Sequence, residues 1–320
     1  MWKSNGYCGE SYYKEYSIIM RGGDYKMSKH AYLIIAHHQF ELLCKLLTLI
    51  DDVRNDIFIH IDGKADHVPY QKIEESVGKS KLYFTSRTRV KWGGYSQIKS
   101  EIILLKAATK QQHYDYYHLL SGADLPLVNQ DKIHNFFDLN QGMEFVQFQK
   151  SKISEIKKRR VKYFYLFQEH LKKKAGILAH FQEVSLRLQE LLRINRISNT
   201  NIEFQMGSNW FSITDNFAKL IVANEKMINE TFRYTKCCDE IFIQTILVNS
   251  SFKNYIYERQ FSDSLTANQR FIHWSDIGPQ DLTMKDLDQM YRSGCLFARK
   301  FNLEKDRQVV TEIESRCMTD

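Results

Sequence analysis

Two apolar runs in this chain stop at side chains able to do chemistry. The run YDYYHLL, residues 114–120, breaks into Ser121-Gly122-Ala123-Asp124, and Pro126 follows. The run DIFIHID, residues 56–62, ends in Asp62. In a wound α/β sheet, ligands bind beyond the carboxyl ends of the strands, so both sets fall where a crevice would open. A hydroxyl and carboxylates there can hydrogen-bond a polar ligand, and glycine lets the backbone approach it closely. Glycine, aspartate and proline after a strand are equally ordinary turn residues, and spacing alone leaves both readings standing. A third set, Asp239-Glu240, directly precedes the apolar stretch IFIQTILV, where acids suit the positive end of a helix.

Other chemistries are not supported. The sequence holds no G-x-G-x-x-G, no G-x-x-x-x-G-K-[ST] and no G-x-S-x-G, which removes dinucleotide, P-loop and nucleophile-elbow readings. Trp92-Gly93-Gly94 reads as a tight turn. His37 and His38 follow a strand, but no partner set has metal spacing, so they read as structural. Asp286-Leu287-Asp288 lies in an amphipathic helix and reads as solvated surface, because a metal-holding pair belongs in a loop after a strand. No metal site and no cofactor are expected.

The elements that must position these residues follow from hydrophobic period. AYLIIA (31–36), DIFIHID, KLYFTS (81–86) and YDYYHLL read as strands, and QFELLCKLLTLI (39–50) and QIKSEIILLKAATKQ (97–111) as helices. That alternation predicts a wound α/β sheet. Further on, FQMGSNWFSIT (204–214) reads as a Gly-Ser break into an alternating strand, NFAKLIVANEKM (216–227) and MKDLDQMYRSG (284–294) as helices, and CLFARKF (295–301) as a last short strand. Three prolines in 320 residues argue for one compact unit spanning 27–320. Residues 1–26 read as a poorly ordered extension, with Met27 a candidate natural start. The six cysteines show neither zinc spacing nor disulfide density and read as reduced thiols.

Net charge is +7, and its location decides what it means. Residues 151–200 carry twelve Lys/Arg against four Glu, a net of +8, which leaves the remainder near neutral. This segment reads as helical, with Phe181, Val184, Leu188 and Leu191 forming an apolar stripe.

The pieces HIDGK, VKWGGYS, LLSGADLPL, GSNWF, DEIFIQTIL, RFIHW and LFARKF, in that order from Ala31 to Phe301, resemble the core-2/I-branching N-acetylglucosaminyltransferase and peptide O-xylosyltransferase family, glycosyltransferase family fourteen. The resemblance implies a GT-A-like fold and an inverting, metal-independent transferase acting on a UDP-sugar. It implies that Asp62 contacts the uridine, that Glu240 is the catalytic base, and that Trp274 lines the acceptor side. It also implies that Lys300, with Arg299 beside it, binds the diphosphate. Relatives often carry a second basic residue ahead of that lysine where this chain reads Ile277-Gly278-Pro279-Gln280-Asp281, so either Arg270, Arg299 or Lys285 supplies the charge or diphosphate binding is weaker than in relatives. Asp124 is read as facing the acceptor or orienting its loop, and Trp92, Trp210 and Trp274 as faces on which pyranose rings stack.

These readings point to transfer of GlcNAc, with xylose second, onto a glycan or lipid-linked glycan in bacterial surface polysaccharide synthesis. No window reaches 18 consecutive apolar residues and the first residues lack a signal-peptide layout, so the expected setting is cytoplasmic. The basic segment would give a peripheral contact with the inner face of an anionic membrane. Two alternatives stay open: a catalytically inactive glycan-binding relative, and a nucleic-acid-binding protein using KKRRVKYFYLF. The second lacks any recognisable module, and nucleic acid is not an expected partner.

Overall fold

The computed structural model describes residues 27–150, 155–171, 176–275 and 278–319. The extension read over residues 1–26 lies outside the described residues. Seven elements build the first half: β1 (His30–Ala36), α1 (Phe40–Ile50), β2 (Asn55–Ile61), α2 (Tyr70–Glu75), β3 (Lys81–Phe84), α3 (Ser96–Gln111) and β4 (Tyr116–Ser121). Their strands lie parallel in the order β3-β2-β1-β4. The chain continues through β5 (Asp124–Pro126), α4 (Gln130–Leu139), β6 (Phe145–Val146), α5 (Glu155–Lys162), α6 (Ile177–Leu191) and β7 (Phe211–Thr214). Strand β7 joins β4 antiparallel, and β6 closes that edge, giving six strands.

The remaining elements are α7 (Asp215–Ala223), α8 (Glu225–Phe232), α9 (Phe242–Val248), β8 (Arg270–Ile272), β9 (Trp274–Ser275), β10 (Gly278–Pro279), α10 (Leu287–Arg292), β11 (Phe297–Arg299) and α11 (Arg307–Thr319). Strands β5, β11 and β8 form a second, three-stranded sheet with β11 in the middle, and β9 and β10 pair as a small ribbon.

Strand periodicity explains why β1 and β2 read as unbroken apolar runs. Tyr32, Ile34 and Ala36 point to one face, where they pack with Leu42, Leu43, Leu46 and Leu47 of α1. Ala31 and Leu33 point to the other, against Ile98, Ile102 and Leu105 of α3. A sheet covered on both faces needs apolar residues at every position. All seven residues of β2 are buried, as its composition predicts.

The mixed α/β architecture is the one expected, with four differences of detail. The helix read over 216–227 is two helices, because Asn224 turns its side chain back onto Leu220 O (2.8 Å) and closes α7. The stretch 204–214 does not alternate: β7 is only Phe211–Thr214, and its first three residues are all buried. Asp286 is not solvated surface; its Oδ2 accepts from the Thr283 amide (2.8 Å) and hydroxyl (3.0 Å) in a capping box, while Asp288 is exposed. CLFARKF is not the last element, since α11 follows and packs Val309, Val310 and Ile313 into the α1 side of the core. Lys45 of α1 meets Glu314 of α11 at 2.7 Å.

Candidate active site

The carboxyl ends of β1, β2 and β4 are stitched together by backbone hydrogen bonds: Asp62 N donates to Ala36 O (2.9 Å) and Gly122 N to Ile35 O (3.0 Å). Glycine suits that closeness, because a Cβ at 122 would stand 3.2 Å from Cβ of Ala36 and force it to give way slightly. Beyond these ends opens a cleft of about 560 Å³. It is lined by Asp62, Trp92, Trp210, Arg299 and Lys300 among the residues singled out from sequence, and by Ser121 and Gly122 of the strand break.

The Ser-Gly-Ala-Asp sequence now has a physical account. Asp124 is fully buried, and its carboxylate accepts from Ser121 N (2.9 Å), Ser121 Oγ (2.5 Å) and Arg299 Nε (3.0 Å). The aspartate closes its own turn and, across β5 and β11, holds the Arg299 guanidinium over the indole of Trp210 at 4.2 Å. These bonds orient the loop, and the carboxylate lies outside the cleft lining. Lys300 extends beside Arg299 and meets Asp281 at 3.3 Å. Also lining the cleft, Asp62 accepts from Lys64 N (2.9 Å) and Val90 N (3.3 Å), which fixes its carboxylate at the wall.

The floor comes from α3. Gln97, Ser100 and Glu101 lie on one face of the helix, three and four residues apart, and line the cleft. Glu101 is buried, and desolvation, reinforced by Asp239, holds its carboxyl well above the usual range. Gln97 Nε2 donates to Asp239 Oδ2 (2.7 Å); burial, then the neighbouring Glu240, pushes the Asp239 carboxyl up to about 7. These floor residues were not singled out from the sequence. The signal that could have found them is a polar set at i, i+3, i+4 on one helix face, next to Ile98, Ile102 and Leu105.

Glu240 sits beside this floor, outside the cleft lining. Its Oε2 accepts from Arg160 of α5 at 2.7 Å, so part of the basic segment is committed to holding the Asp239-Glu240 turn. That turn is also fastened from the GSNWF stretch, where Gly207 N donates to Glu240 O (3.0 Å). Only glycine fits: a Cβ at 207 would lie 1.8 Å from Gln147 O. The adjacent thiols are packed into the core. Cys237 and Cys238 are both buried, and burial pushes the Cys237 thiol up to about 11, away from thiolate chemistry.

Arg270 is a correction. It is fully buried, and its guanidinium donates to Ser212 Oγ (2.8 Å), Leu119 O (3.2 Å), Phe211 O (2.6 Å) and Asn268 O. It therefore bridges β4, β7 and β8 inside the core and does not reach the cleft, so a donor-binding role gives way to a structural one. Trp274 also stands apart, exposed on the β9–β10 ribbon and outside the lining. His37 and His38 are exposed at the cleft wall with their rings stacked at 4.1 Å. Among the described residues no group of three or more His, Cys, Asp or Glu could hold a metal ion, and no helix is long and apolar enough to cross a membrane.

The arrangement suits a ligand with an anionic portion against Arg299 and Lys300 and hydroxyl-bearing rings over indole faces and carboxyl groups. Several known proteins are similar to this chain. Human Xylosyltransferase 2 is 22% identical over 299 residues, covering 88% of this chain and 32% of that protein. Drosophila melanogaster Xylosyltransferase oxt is 23% identical over 277 residues, covering 80% and 30%. The chain thus spans about a third of the length of these curated relatives. Among solved structures, mouse Xyloside xylosyltransferase 1 in its apo form aligns with a TM-score of 0.36 and 11% identity over 85% of this chain and 96% of that one. Aspergillus fumigatus Core-mannan synthase A in its Mn/GDP form aligns with 0.38 and 11% over 73% of each. The sequence profile described as "Branch: Core-2/I-Branching enzyme" matches residues 30–296, ending just before Arg299 and Lys300. The chain belongs to the Core-2/I-branching enzyme family, a family of glycosyltransferases.

Proposed function

We propose that this protein transfers a sugar from a UDP-sugar to a hydroxyl of a glycan acceptor, with inversion and without a metal ion. The observation that carries the proposal is the Arg299-Lys300 pair, which lines the same cleft as Asp62, with Arg299 held by Asp124 and Trp210 and Lys300 by Asp281. The acceptor hydroxyl attacks the anomeric carbon in line as the bond to the diphosphate oxygen breaks; its proton passes to Glu240, and the departing charge settles on Arg299 and Lys300. Arg160 keeps the Glu240 carboxylate oriented. Asp62 holds the nucleoside end, and Trp92 and Trp210 supply ring-stacking faces. The sequence motifs rank GlcNAc ahead of xylose as donor, and the names of the curated relatives favour xylose.

Calorimetric titration with UDP, UDP-GlcNAc and UDP-xylose, first in EDTA and then with manganese, tests this. Binding in EDTA supports the metal-free reading and ranks the donors. A requirement for manganese removes the metal-free part, and no binding in any condition removes the proposal. The ion pair of Glu240 with Arg160, outside the cleft lining, favours one second reading: a glycan-binding relative without turnover. Such a protein would bind UDP-sugar and glycan yet leave the donor intact. The nucleic-acid reading loses ground, because Arg159 is paired with Glu190, Arg160 with Glu240, and Arg196 is held by Thr231 O over the Phe164 ring. We place the enzyme in the cytoplasm at the inner face of a membrane, in synthesis of a bacterial surface glycan.

A further inference from the structure

Helix α6 packs the wrong way round for an amphipathic helix. The residues it buries are Gln182, Leu186 and Gln189. Both glutamines are bonded to backbone: Gln182 Oε1 accepts from Phe167 N (2.9 Å), and Gln189 accepts from Phe164 N (2.7 Å) and donates to Phe164 O (3.0 Å). Ile177, Phe181, Val184, Leu188 and Leu191, at alternating spacings of four and three, form a continuous stripe on the outside, each between 48% and 79% exposed. Leu178 and Leu192 widen it. An ordinary surface helix turns such a stripe inward, and scattered exposed apolar residues need no explanation, but a contiguous stripe marks an interaction surface.

The charge around the stripe selects the occupant. At about 100° per residue, Arg187 falls beside the stripe, and Arg193 lies just past its end. Both are exposed, in a segment whose net charge is +8. Of the nearby acids, Glu190 is neutralised by Arg159. A second copy meeting this face by two-fold symmetry would set the two basic segments against each other. An apolar stripe with a cationic edge, on a helix of about 22 Å, fits the interface of an anionic bilayer and is too short to span it.

We propose that α6 seats the protein on an anionic lipid surface through Ile177, Phe181, Val184, Leu188 and Leu191, with Arg187 and Arg193 against the headgroups. The seat is coupled to the cleft. The segment that the two glutamines hold continues to Gln168, whose Nε2 donates to Trp92 O (3.3 Å), and to Glu169, which accepts from Ser96 N (2.8 Å) at the start of α3. Docking therefore fixes the Trp92 wall relative to the membrane, which suits a lipid-borne acceptor; this last clause rests on the function proposed above, while the docking itself does not.

The test is vesicle co-sedimentation of the full chain with neutral phosphatidylcholine vesicles and with vesicles containing roughly one-third phosphatidylglycerol. The doubly substituted Phe181→Glu/Leu188→Glu and Arg187→Glu/Arg193→Glu proteins are compared with wild type, all changes being at exposed positions; matching thermal melts confirm the fold. Wild type should partition onto anionic vesicles at least about tenfold more strongly than onto neutral ones and release with salt, and both variants should lose about tenfold or more. Equal partitioning of wild type and the Phe181/Leu188 variant overturns the proposal, as does wild type staying in solution with both vesicle types. So does a dimer in sedimentation velocity that this variant dissolves while vesicles bind nothing. UDP titration of the same variants separates the two proposals: their UDP affinity should equal that of wild type. A wild type that binds vesicles and no UDP would defeat the function and leave the docking intact.

Discussion

Replacing Asp239 by asparagine should flatten the decline in stability of this protein as pH rises from about 5 to about 8. Asp239 is buried under the cleft with Oδ2 held by Gln97 and Oδ1 without a partner among the described residues. Burial, and then repulsion from Glu240, raises its carboxyl from the ordinary 3.8 to about 7. An acid that holds its proton more tightly when folded contributes stability that is complete below its unfolded pKa and is lost as pH climbs through the folded one. At 1.36 kcal/mol per unit, the passage from pH 5 to pH 7 removes about 3 kcal/mol, an upper figure that water penetration lowers. Asparagine keeps an oxygen for Gln97 and cannot ionise. Urea unfolding of both proteins at about pH 5 and about pH 8 gives the double difference, in which titrating groups remote from Asp239 cancel and the coupled Glu101 carboxyl moves with it. The variant should gain about 2–3 kcal/mol relative to wild type between the two conditions. Parallel pH profiles would refute the reasoning, because they would show Asp239 ionised and solvated in the native protein.

Glu240→Gln should lower transfer by about two to four orders of magnitude while leaving the UDP titration unchanged, as removal of a general base requires. Arg299→Lys loses the Nε bond to Asp124 and the stacking on Trp210, and calorimetry should show UDP affinity reduced by about tenfold or more. Gly207→Ala should abolish soluble expression, since its Cβ meets Gln147 O at 1.8 Å; Gly176→Ala, with nothing within 4 Å, is the neutral control by thermal melt.

What was legible in the sequence was what a local pattern encodes. Parallel strands buried on both faces write themselves as runs such as AYLIIA, and a helix like α1 repeats its leucines at the right interval. The helices α2, α4 and α11 were passed over. The first is only six residues long with a single buried side chain, Ile73. In α11 the period of Val309, Val310, Ile313 and Cys317 was readable, but it lies beyond the last recognised piece. At the cleft, Asp62 stood out as the end of an apolar run, whereas Trp92, Trp210, Arg299 and Lys300 were singled out only through the resemblance of their motifs to a known family. Arg270 was misread because an arginine looks the same in sequence whether it meets a ligand or the carbonyls of two strands and a loop. The outward turn of α6 was illegible for a related reason. Two glutamines that fasten to the backbone at 164 and 167 decide which face goes in, and those partners are set by tertiary placement.

The second sheet has a consequence for the order of assembly. Its middle strand, β11, pairs with β5 and β8, so residues 124–126, 270–272 and 297–299 must meet before it exists. Pairings so distant along the chain form late and slowly. During synthesis, the parallel layer β3-β2-β1-β4 can assemble while Asp62 and the Ser121 turn already face solvent, yet the cationic wall is missing until Arg299 has emerged and docked on Asp124. On the function proposed above, nucleotide affinity would therefore be the last property this chain acquires, and UDP would favour only molecules whose final strand is in place.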